Sequence, residues 1–356
     1  MKDLYDKLKV GNRELPNRLM RSASATLYAD EDGIVREETV KLYEELAKGH
    51  VGLIVKGHLY VTDDGISNPG QYGISDDKHI PGLKRITEAV HQHDGIIIAQ
   101  LNHGGHRAKA HVAPSYLEAE NLEARELSAE EIADLVSAYG KAAERAIKAG
   151  FDGVQIHLAH GFLVNLFLSA NTNQREDKYG GTVEQRMQFV IEIYDEIRER
   201  IGDKIVAIKM NCDDFVEGGN TVDEAKLIAQ ILSKRGVDLI ELSGGGVPQD
   251  RSLHDRAKHS DPILDEVVYA GHAAEIRKVT GSTPLALVNG FATRKAMDRV
   301  LELDIADIIS MSRPFIREPD LSIKLKEGQE VVACTRCNAC VMPENFGTDI
   351  VHCHVN

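Results

Sequence analysis

Residues 152–210 contain the strand-like run DGVQIH (152–157), a helical stretch over 183–200 and a second strand-like run, KIVAIKM (204–210). Both runs are largely apolar along their length, which is typical of parallel strands that are buried on both faces. A strand, a helix and a second strand in this order form a βαβ unit. The segment therefore predicts a parallel sheet covered by helices.

The same alternation continues in both directions. Further strand-like runs are RLMRSA (18–23), VGLIVK (51–56), GIIIAQL (95–101), VDLIELS (237–243), TPLALVN (283–289) and ADIISMS (306–312). Further helices are predicted over 36–48, 80–93, 128–149, 221–235, 264–279 and 292–303. An open doubly wound sheet usually has fewer strands and a G-x-G-x-x-G turn after the first, and no such turn follows residues 18–23. Eight strands with intervening helices favour an α/β fold, a single closed (β/α)8 TIM barrel.

Composition limits the classes of partner. The chain has 356 residues, of which 42% are hydrophobic, and a net charge of −14. The negative charge and the lack of a dense basic stretch argue against a nucleic-acid partner. No apolar run is long enough for a membrane helix, and MKDLYDKLKV has no apolar signal core, so we expect a cytoplasmic protein. We expect the barrel over 1–330, a Cys-rich tail over 331–356 and a lid within 104–127.

Polar residues stand where the predicted strands end, and in TIM barrels chemistry belongs at that end. Gln100 can donate and accept, which suits the polar edge of a flavin, and Lys209 could stabilise negative charge there. The ends of the last two strands, with Asn289, Gly290, Ser312 and Arg313, are where barrels often bind phosphate. We predict cofactor contacts from Ser22, Ala23, Ser24, Gly57, Gln100, Lys209, Asn289, Gly290, Ser312 and Arg313.

Two histidines stand at the end of the fourth strand-like run: His157 is its last residue and His160 lies in the loop that follows. Imidazoles at this position serve either as metal ligands or as donors that together polarise a substrate carbonyl. A metal would need further acidic or histidine ligands, and none is adjacent. We therefore predict that both histidines are catalytic residues that bind a substrate oxygen.

Four of the five cysteines crowd the tail as Cys334-x2-Cys337-x2-Cys340-x12-Cys353, while Cys212 stands alone. A disulfide scaffold would spread its cysteines through a small secreted fold. The clustering indicates a metal centre, and the spacing suits either an iron–sulfur cluster or tetrahedral zinc. We interpret Cys212 as a packed thiol.

At these residues the chain resembles the Old Yellow Enzyme family of FMN-dependent oxidoreductases. The most specific segment is HLAHGFLVNLFLSANTNQREDKYGGTVEQR (157–186), and QLNHGG (100–105), LALVNGF (285–291) and SMSRPFIREPDL (310–321) match further family segments. The resemblance implies that Ser24 and Gly57 lie against the O4/N5 edge of FMN, that Gln100 and Lys209 hold its pyrimidine edge, and that Gly290, Ser312 and Arg313 hold its phosphate. It also implies that NADH or NADPH reduces the flavin, which then reduces an activated alkene held by His157 and His160.

One position departs from the family. Phe162 stands where the family usually has a proton-donating tyrosine, and phenylalanine cannot donate a proton. Tyr28 and Tyr60 are alternative donors from neighbouring loops, although packing in the substrate wall explains them equally well. The leading prediction is reduction of an α,β-unsaturated carbonyl compound, and a flavin and iron–sulfur electron carrier without this chemistry is the alternative that Phe162 keeps open.

The tail resembles the larger iron–sulfur branch of the family, which includes trimethylamine dehydrogenase and 2,4-dienoyl-CoA reductase. That resemblance implies a [4Fe-4S] cluster on Cys334, Cys337, Cys340 and Cys353, with zinc as the minority alternative. The larger relatives continue into a second nucleotide-binding region, which we expect this chain to lack. An amine dehydrogenase is the runner-up, but its tryptophan-containing bowl has no counterpart in a chain without tryptophan. The resemblance leaves open a ferredoxin-like electron donor and a homo-oligomer.

Overall fold

The computed structural model describes residues 2–248, 259–341 and 350–354. Eight parallel strands close a barrel in the order β10-β11-β12-β13-β3-β4-β5-β9, which confirms the predicted (β/α)8 architecture. The barrel strands are β3 (Leu19–Arg21), β4 (Leu53–Tyr60), β5 (Ile97–Asn102), β9 (Gly153–Leu158), β10 (Ile205–Asn211), β11 (Leu239–Ser243), β12 (Leu285–Val288) and β13 (Ile308–Met311).

Helices surround the barrel because each has one apolar face that packs on the strands. The longest, α3, begins after a capping box in which the side chains of Ser128 and Glu131 satisfy each other's backbone N–H groups. The helices are α1 (Glu37–Lys48), α2 (Ile80–His91), α3 (Ala129–Lys148), α4 (Leu163–Leu168), α5 (Val183–Arg186), α6 (Gln188–Ile201), α7 (Val222–Lys234), α8 (Ala270–Arg277), α9 (Arg294–Glu302), α10 (Arg313–Arg317) and α11 (Leu321–Glu327).

Three predicted elements differ from the observed ones. The helix predicted over 183–200 is divided at Met187, where α5 ends and α6 begins. The helix predicted over 264–279 is the shorter α8, with a 3-10 turn at Pro262–Leu264 before it. The strand predicted over 51–56 continues as β4 to Tyr60, because the backbone remains paired with β5 beyond a register shift between Lys56 and Leu59.

A small three-stranded sheet occupies part of the predicted lid region. Its strands are β6 (Val112–Ala113), β7 (Leu117–Ala119) and β8 (Leu122–Glu126), and they follow β5 at the carboxyl end of the barrel. The predicted irregular stretch is therefore partly ordered by strand pairing. At the opposite end, the hairpin of β1 (Leu8–Val10) and β2 (Arg13–Leu15) closes the barrel, with Val10 and Leu15 packed into its apolar interior.

The barrel interior changes from apolar to polar along its axis. One buried layer contains Met20, Val55, Ile98, Ala207 and Leu239. Side chains two residues apart on a strand share a face, so the next inward layer toward the carboxyl end is formed by the following residues: Ser22, Gly57, Gln100, Lys209 and Glu241. The fold therefore places a polar floor directly beneath the barrel mouth. In the part of the chain that the structure describes, no helix is long and apolar enough to cross a membrane.

Candidate active site

The predicted histidines lie at the barrel mouth, in the wall of a cavity of about 440 Å3. His157 belongs to β9, and His160 follows in the turn before α4 with a positive φ of 63°. Their ring centroids are 5.2 Å apart. The structure thus brings the two histidines together. The residues that line this cavity are Ala23, Ala25, Leu27, His58, Asn68, Gln100, Arg107, Glu120, His157, His160, Phe162 and Lys209.

A second cavity, of about 240 Å3, adjoins the first and shares Ala23, His160 and Lys209 with it. It extends to the ends of β12 and β13, where its wall contains the predicted residues Ser22, Asn289, Gly290, Ser312 and Arg313. The guanidinium of Arg336, from the tail, donates to the backbone oxygen of Gly290 (2.6 Å). Two arginine side chains therefore lie at one end of a groove that continues to the histidines.

A buried hydrogen-bond network forms the floor of the site. Gln100 Nε2 donates to Gln155 Oε1 (2.8 Å), and Gln155 Nε2 donates to Glu241 Oε2 (2.9 Å). The other carboxylate oxygen of Glu241 accepts from Ser22 Oγ (2.6 Å) and from Lys209 Nζ (3.2 Å). The Glu241 side chain is fully buried, so it supplies the counter-charge that allows the Lys209 ammonium to lie inside the barrel.

Sequence analysis missed Gln155, Glu241 and Ser310, whose hydroxyl also donates to Glu241 (2.8 Å). The sequence did contain a signal for Glu241, because a glutamate within the apolar run VDLIELS cannot be buried without a partner. The partner lies on another strand, so the run by itself does not identify it.

Close backbone approach explains the glycine on β4. A Cβ added to Gly57 would lie 2.5 Å from Ala23 Cβ and 3.0 Å from Gln100 Oε1. Ser24 is the next residue after Ala23, and its hydroxyl hydrogen-bonds to the hydroxyl of Ser312. The backbone at Gly57 therefore packs directly against Ala23 and Gln100, with no space for a side chain.

Burial keeps the site histidines neutral. It lowers the pKa of His160 to about 3, with further lowering by the charges of Lys209 and Arg107. Burial also holds the pKa of His157 well below its usual range, with help from His160 and Lys209. His160 Nε2 lies 2.7 Å from Ser243 Oγ, while the buried Nδ1 of His157 has no hydrogen-bond partner among the described residues. Neutral imidazoles at this position can donate hydrogen bonds to a substrate oxygen without carrying charge.

A third histidine, His58, was not identified from the sequence. Its ring centroid lies 5.1 Å from that of Phe162 and 6.5 Å from that of His157. Burial and the charge of Lys56 lower the pKa of His58 to about 4. The strand predicted over 51–56 stops two residues before His58. A prediction that reached the observed end of β4 would have included His58 among the candidate site residues.

Phe162 packs between the histidines, with its ring centroid 4.9 Å from that of His157. The two tyrosines considered as substitutes are not part of this cavity wall. The Tyr60 hydroxyl donates to the backbone oxygen of Asp32 (3.2 Å), and the Tyr28 ring is covered by the Arg36 guanidinium at 4.6 Å. Within the described residues, no tyrosine lines the cavity that holds the histidines.

The tail cysteines approach one another without forming a metal-binding group. Burial is the main cause that raises the pKa of the Cys340 thiol, and the charges of Cys334 and Cys353 raise it further. The three thiols therefore lie near one another. Among the residues that the structure describes, no three His, Cys, Asp or Glu side chains are placed to hold a metal ion. The predicted metal ligands Cys334, Cys337, Cys340 and Cys353 therefore stay a prediction. Cys212 is buried, as expected for a packed thiol.

The fold and this groove define a class: barrel oxidoreductases with a site at the carboxyl end of the strands. The sequence model of the NADH:flavin oxidoreductase / NADH oxidase family matches residues 3–331. The chain belongs to this family, whose members are FMN-dependent NAD(P)H oxidoreductases of the Old Yellow Enzyme type, as the sequence predicted.

Individual relatives agree. The chain is 33% identical over 368 residues to an NADH oxidase of Thermoanaerobacter brockii. The match covers 99% of this chain but only 56% of that protein. A 2-naphthoyl-CoA reductase complex has a TM-score of 0.91 at 27% identity, covering 99% of this chain and 56% of the other. An Old Yellow Enzyme homologue of Zymomonas mobilis has a TM-score of 0.80 at 27% identity, covering 98% and 99%. The chain thus spans about half the length of the first two.

Proposed function

We propose that the protein is an FMN-dependent reductase that uses NADH or NADPH to saturate the C=C bond of an α,β-unsaturated carbonyl compound. In the overall reaction, the alkene, the reduced nicotinamide and one proton give the saturated product and the oxidised nicotinamide. The observation that carries the proposal is the groove at the barrel mouth. The floor of this groove is polar, and neutral histidines lie in its wall.

The residues present fit FMN. Gly57 lets the backbone of β4 lie directly against Ala23 and Gln100, and Gln100 and Lys209 present donors in the cavity wall. Ser312, Arg313 and Arg336 place hydroxyl and guanidinium donors at the far end of the groove, as a phosphate requires. Ser22, Ala23, Ser24, Asn289 and Gly290 are proposed to complete these contacts. When bound, FMN supplies the ability to take two electrons from nicotinamide and to pass them on to the substrate.

The protein side chains then have separate tasks. Lys209, with its ammonium fixed by Glu241 and Ser22, stabilises negative charge at the pyrimidine edge. His157 and His160 hold the substrate carbonyl oxygen, which gains negative charge as the β-carbon is reduced. Donors that are already in position stabilise this charge more in the transition state than in the ground state.

The cavity disfavours an amine substrate. The carboxylate in its wall, Glu120, is paired with Arg107 in two hydrogen bonds of 2.8 Å. Among the described residues of this wall, Phe162 is the one aromatic residue other than histidine. A cationic amine would therefore meet neither an unpaired negative charge nor an aromatic bowl.

The tail is proposed to hold a [4Fe-4S] cluster through Cys334, Cys337, Cys340 and Cys353. In support, three of these thiols share one neighbourhood, and the charge of Cys340 also acts on the buried Arg21. A cationic side chain nearby suits a cluster whose four thiolates make it anionic. Zinc is the competing occupant, and metal analysis separates the two.

The central test is a stepwise flavin experiment. Anaerobic protein is expected to release FMN on denaturation and, before denaturation, to show flavin bleaching with NADH or NADPH followed by recovery on addition of cyclohexenone. Stoichiometric FAD in the released fraction would contradict the cofactor assignment. Bleaching without recovery for any enone would favour the electron-carrier alternative, and in that case a ferredoxin-like partner would be sought.

A further inference from the structure

The turn that carries His160 has an unusual backbone. His160 and Gly161 both have a positive φ, of 63° and 73°, in a region that residues other than glycine rarely adopt. Two amide side chains hold the backbone of this turn. Asn211 Oδ1 accepts from the N–H of His160 (3.3 Å), and Asn165 Oδ1 accepts from the N–H of Gly161 (2.8 Å). The turn is therefore attached to the end of β10 and to α4.

These contacts determine how both amides are oriented. A backbone N–H can only donate, so the atoms that face His160 and Gly161 are the amide oxygens. The NH2 groups of Asn165 and Asn211 point the other way, toward Oδ1 of Asp214, at 3.3 Å and 2.7 Å. Asp214 is therefore the acceptor that both amides share behind the turn.

Asp214 is a fully buried carboxylate that is satisfied by uncharged donors. Its Oδ2 atom accepts from the Ser169 hydroxyl (2.5 Å) and from the backbone N–H of Asn220 (2.9 Å). An amide in place of this carboxylate would turn its NH2 group toward other donors in either orientation. The NH2 groups of Asn165 and Asn211 lie on one side, and the N–H of Asn220 lies on the other. The position thus requires a carboxylate.

The same network reaches the segment that contacts the His160 ring. The Ser243 hydroxyl, at the end of β11, lies 2.7 Å from Nε2 of His160. Asn211 Nδ2 donates to the backbone oxygen of Gly245, which follows β11 (2.9 Å). Because Asp214 orients Asn211, it acts on the backbone of His160 and on the segment beside its ring.

We infer that Asp214 is a positioning residue for the reaction, and that it holds the His160 turn through Asn165 and Asn211 so that the imidazole faces the substrate oxygen. This inference rests on the proposed alkene reduction. Asp214 is fully covered and does not line the cavity, so it acts through His160 without touching the substrate. A hydrogen-bond donor is most effective when it is already in place as charge develops, and a small misplacement reduces its effect.

The first experiment is a double-mutant cycle on the limiting rate of flavin reoxidation by cyclohexenone. Asp214→Asn is expected to lower this rate by about tenfold or more when His160 is present. In a His160→Ala background the same substitution should lower it by less than about twofold, because the group through which Asp214 acts is gone. Reduction by NADH should change little in either background. Equal losses of the enone rate in both backgrounds would overturn the inference.

Two further variants support this cycle. Asn211→Ala breaks the connection to the turn and leaves the carboxylate in place, so it should give the same pattern and carries the test if Asp214→Asn does not fold. Asp152→Asn is the matched control, because Asp152 is also buried, at 2% exposed, but lies just before β9 at the opposite end of the barrel. It should leave the enone rate unchanged, and a loss equal to that of Asp214→Asn would contradict a specific role for Asp214.

The second experiment reports on the ring without turnover. In 15N-histidine-labelled holoenzyme, the ring signals that disappear in His160→Ala belong to that residue. They should shift in Asp214→Asn and in Asn211→Ala but not in Asp152→Asn, and unshifted signals in the first two variants would overturn the inference. Shifted signals in a protein whose unaltered form does not reduce any enone would support the positioning role and count against the proposed function.

Discussion

Glu241 is the residue on which the polar floor depends. Its carboxylate accepts hydrogen bonds from Lys209 on β10, from Ser310 on β13 and from Ser22, which follows β3, and it is fully buried. Removing one partner of a buried ion pair leaves the other charge uncompensated, which typically costs about 3–5 kcal/mol. We expect Glu241→Gln to lower the free energy of unfolding in urea by about 3 kcal/mol.

The control for this prediction is a double-mutant cycle with Lys209→Met. If the pair interacts as described, the double variant should be more stable than the sum of the two single losses implies. Additive losses would show that Glu241 and Lys209 do not stabilise each other. Release of FMN from Glu241→Gln, measured by ultrafiltration, would in addition report on the proposed role of Lys209.

The buried histidines make the free energy of unfolding depend on pH, and the direction of that dependence follows from their lowered pKa values. The pKa of His58 is lowered to about 4 and that of His160 to about 3, against about 6.5 in an unfolded chain. The unfolded chain therefore binds more protons between these values, and stability is lost as the pH falls below about 6.5. For His58 the loss between pH 7 and pH 5 is on the order of 2 kcal/mol. Urea unfolding of His58→Leu at both pH values should show a smaller loss than the unaltered protein, and an equal loss would refute the assignment.

His157 faces the cavity with less competition from protein groups than His160. We expect His157→Ala to slow flavin reoxidation by cyclohexenone on the order of 10²-fold, because a donor to the developing oxyanion is removed. Reduction by NADH, followed in the same stopped-flow instrument, should fall less because nicotinamide develops no such charge. An unchanged enone rate in both His157→Ala and His160→Ala would mean that the pair does not activate the substrate.

With Phe162 in place of a tyrosine, we propose that solvent delivers the proton in this cavity. Within the described residues no tyrosine lines it, and burial lowers the pKa of the neighbouring His58 to about 4, so its imidazole is neutral. We expect a solvent deuterium isotope effect on flavin reoxidation by cyclohexenone. Phe162→Tyr should reduce that effect and raise the rate, since it restores a hydroxyl where relatives have one. A rate unchanged by the substitution would show that protonation is not limiting.

At the scale of elements, an ion pair between Glu120 and Arg107 is one of the contacts that join the sheet of β6, β7 and β8 to the active site. Glu120, between β7 and β8, bonds to Arg107, whose guanidinium also donates to the backbone oxygen of His160 (3.1 Å). The charge-assisted pair therefore connects this sheet, in the predicted lid region, to the turn that carries a site histidine.

We expect Glu120→Gln to raise the KM for cyclohexenone several-fold and to speed limited proteolysis within the lid. The reason is that a neutral amide weakens the bidentate pair with Arg107. Glu118→Gln, an exposed substitution on β7, is the matched control and should change neither measurement. Equal behaviour of the two variants would show that the lid is held by its strand pairing and not by this ion pair.

At the scale of the whole molecule, the tail contacts the barrel through arginines of the last strand-end segment. Arg317 donates to the backbone oxygen of Val332 (3.1 Å) and to Cys353 Sγ (3.4 Å), and Arg313 hydrogen-bonds to Asn338. The thiols are thereby held beside the groove proposed for FMN. The division into a barrel over 1–330 and a tail over 331–356 stays a prediction.

Cys337 is the exposed member of the four thiols. We expect anaerobic protein to contain about four irons per chain if one cubane is bound. Cys337→Ala should lose most of that iron and retain FMN, because the proposed flavin contacts come from other strands. Cys212→Ala, a buried cysteine of the barrel, is the control and should retain both. One zinc per chain without iron would overturn the cluster in favour of a structural metal site.

The sequence by itself determined the barrel, the family and the ring of polar residues at the strand ends. Apolar runs and helical periodicity are local properties, and parallel strands of one barrel necessarily bring their carboxyl ends to the same face. The order of residues along the chain therefore sufficed to assign His157, His160, Gln100 and Lys209 to one site.

Only the tertiary structure decided how these side chains are charged and oriented. Glu241 meets Lys209 through the pairing of β10 with β11, and Gln71 meets His58 because the chain after β4 folds back on that strand. Such contacts depend on register and on the path of loops, which local patterns do not encode. The neutral state of the histidines and the gathering of the tail thiols both follow from burial and from distances between segments that are separated in sequence.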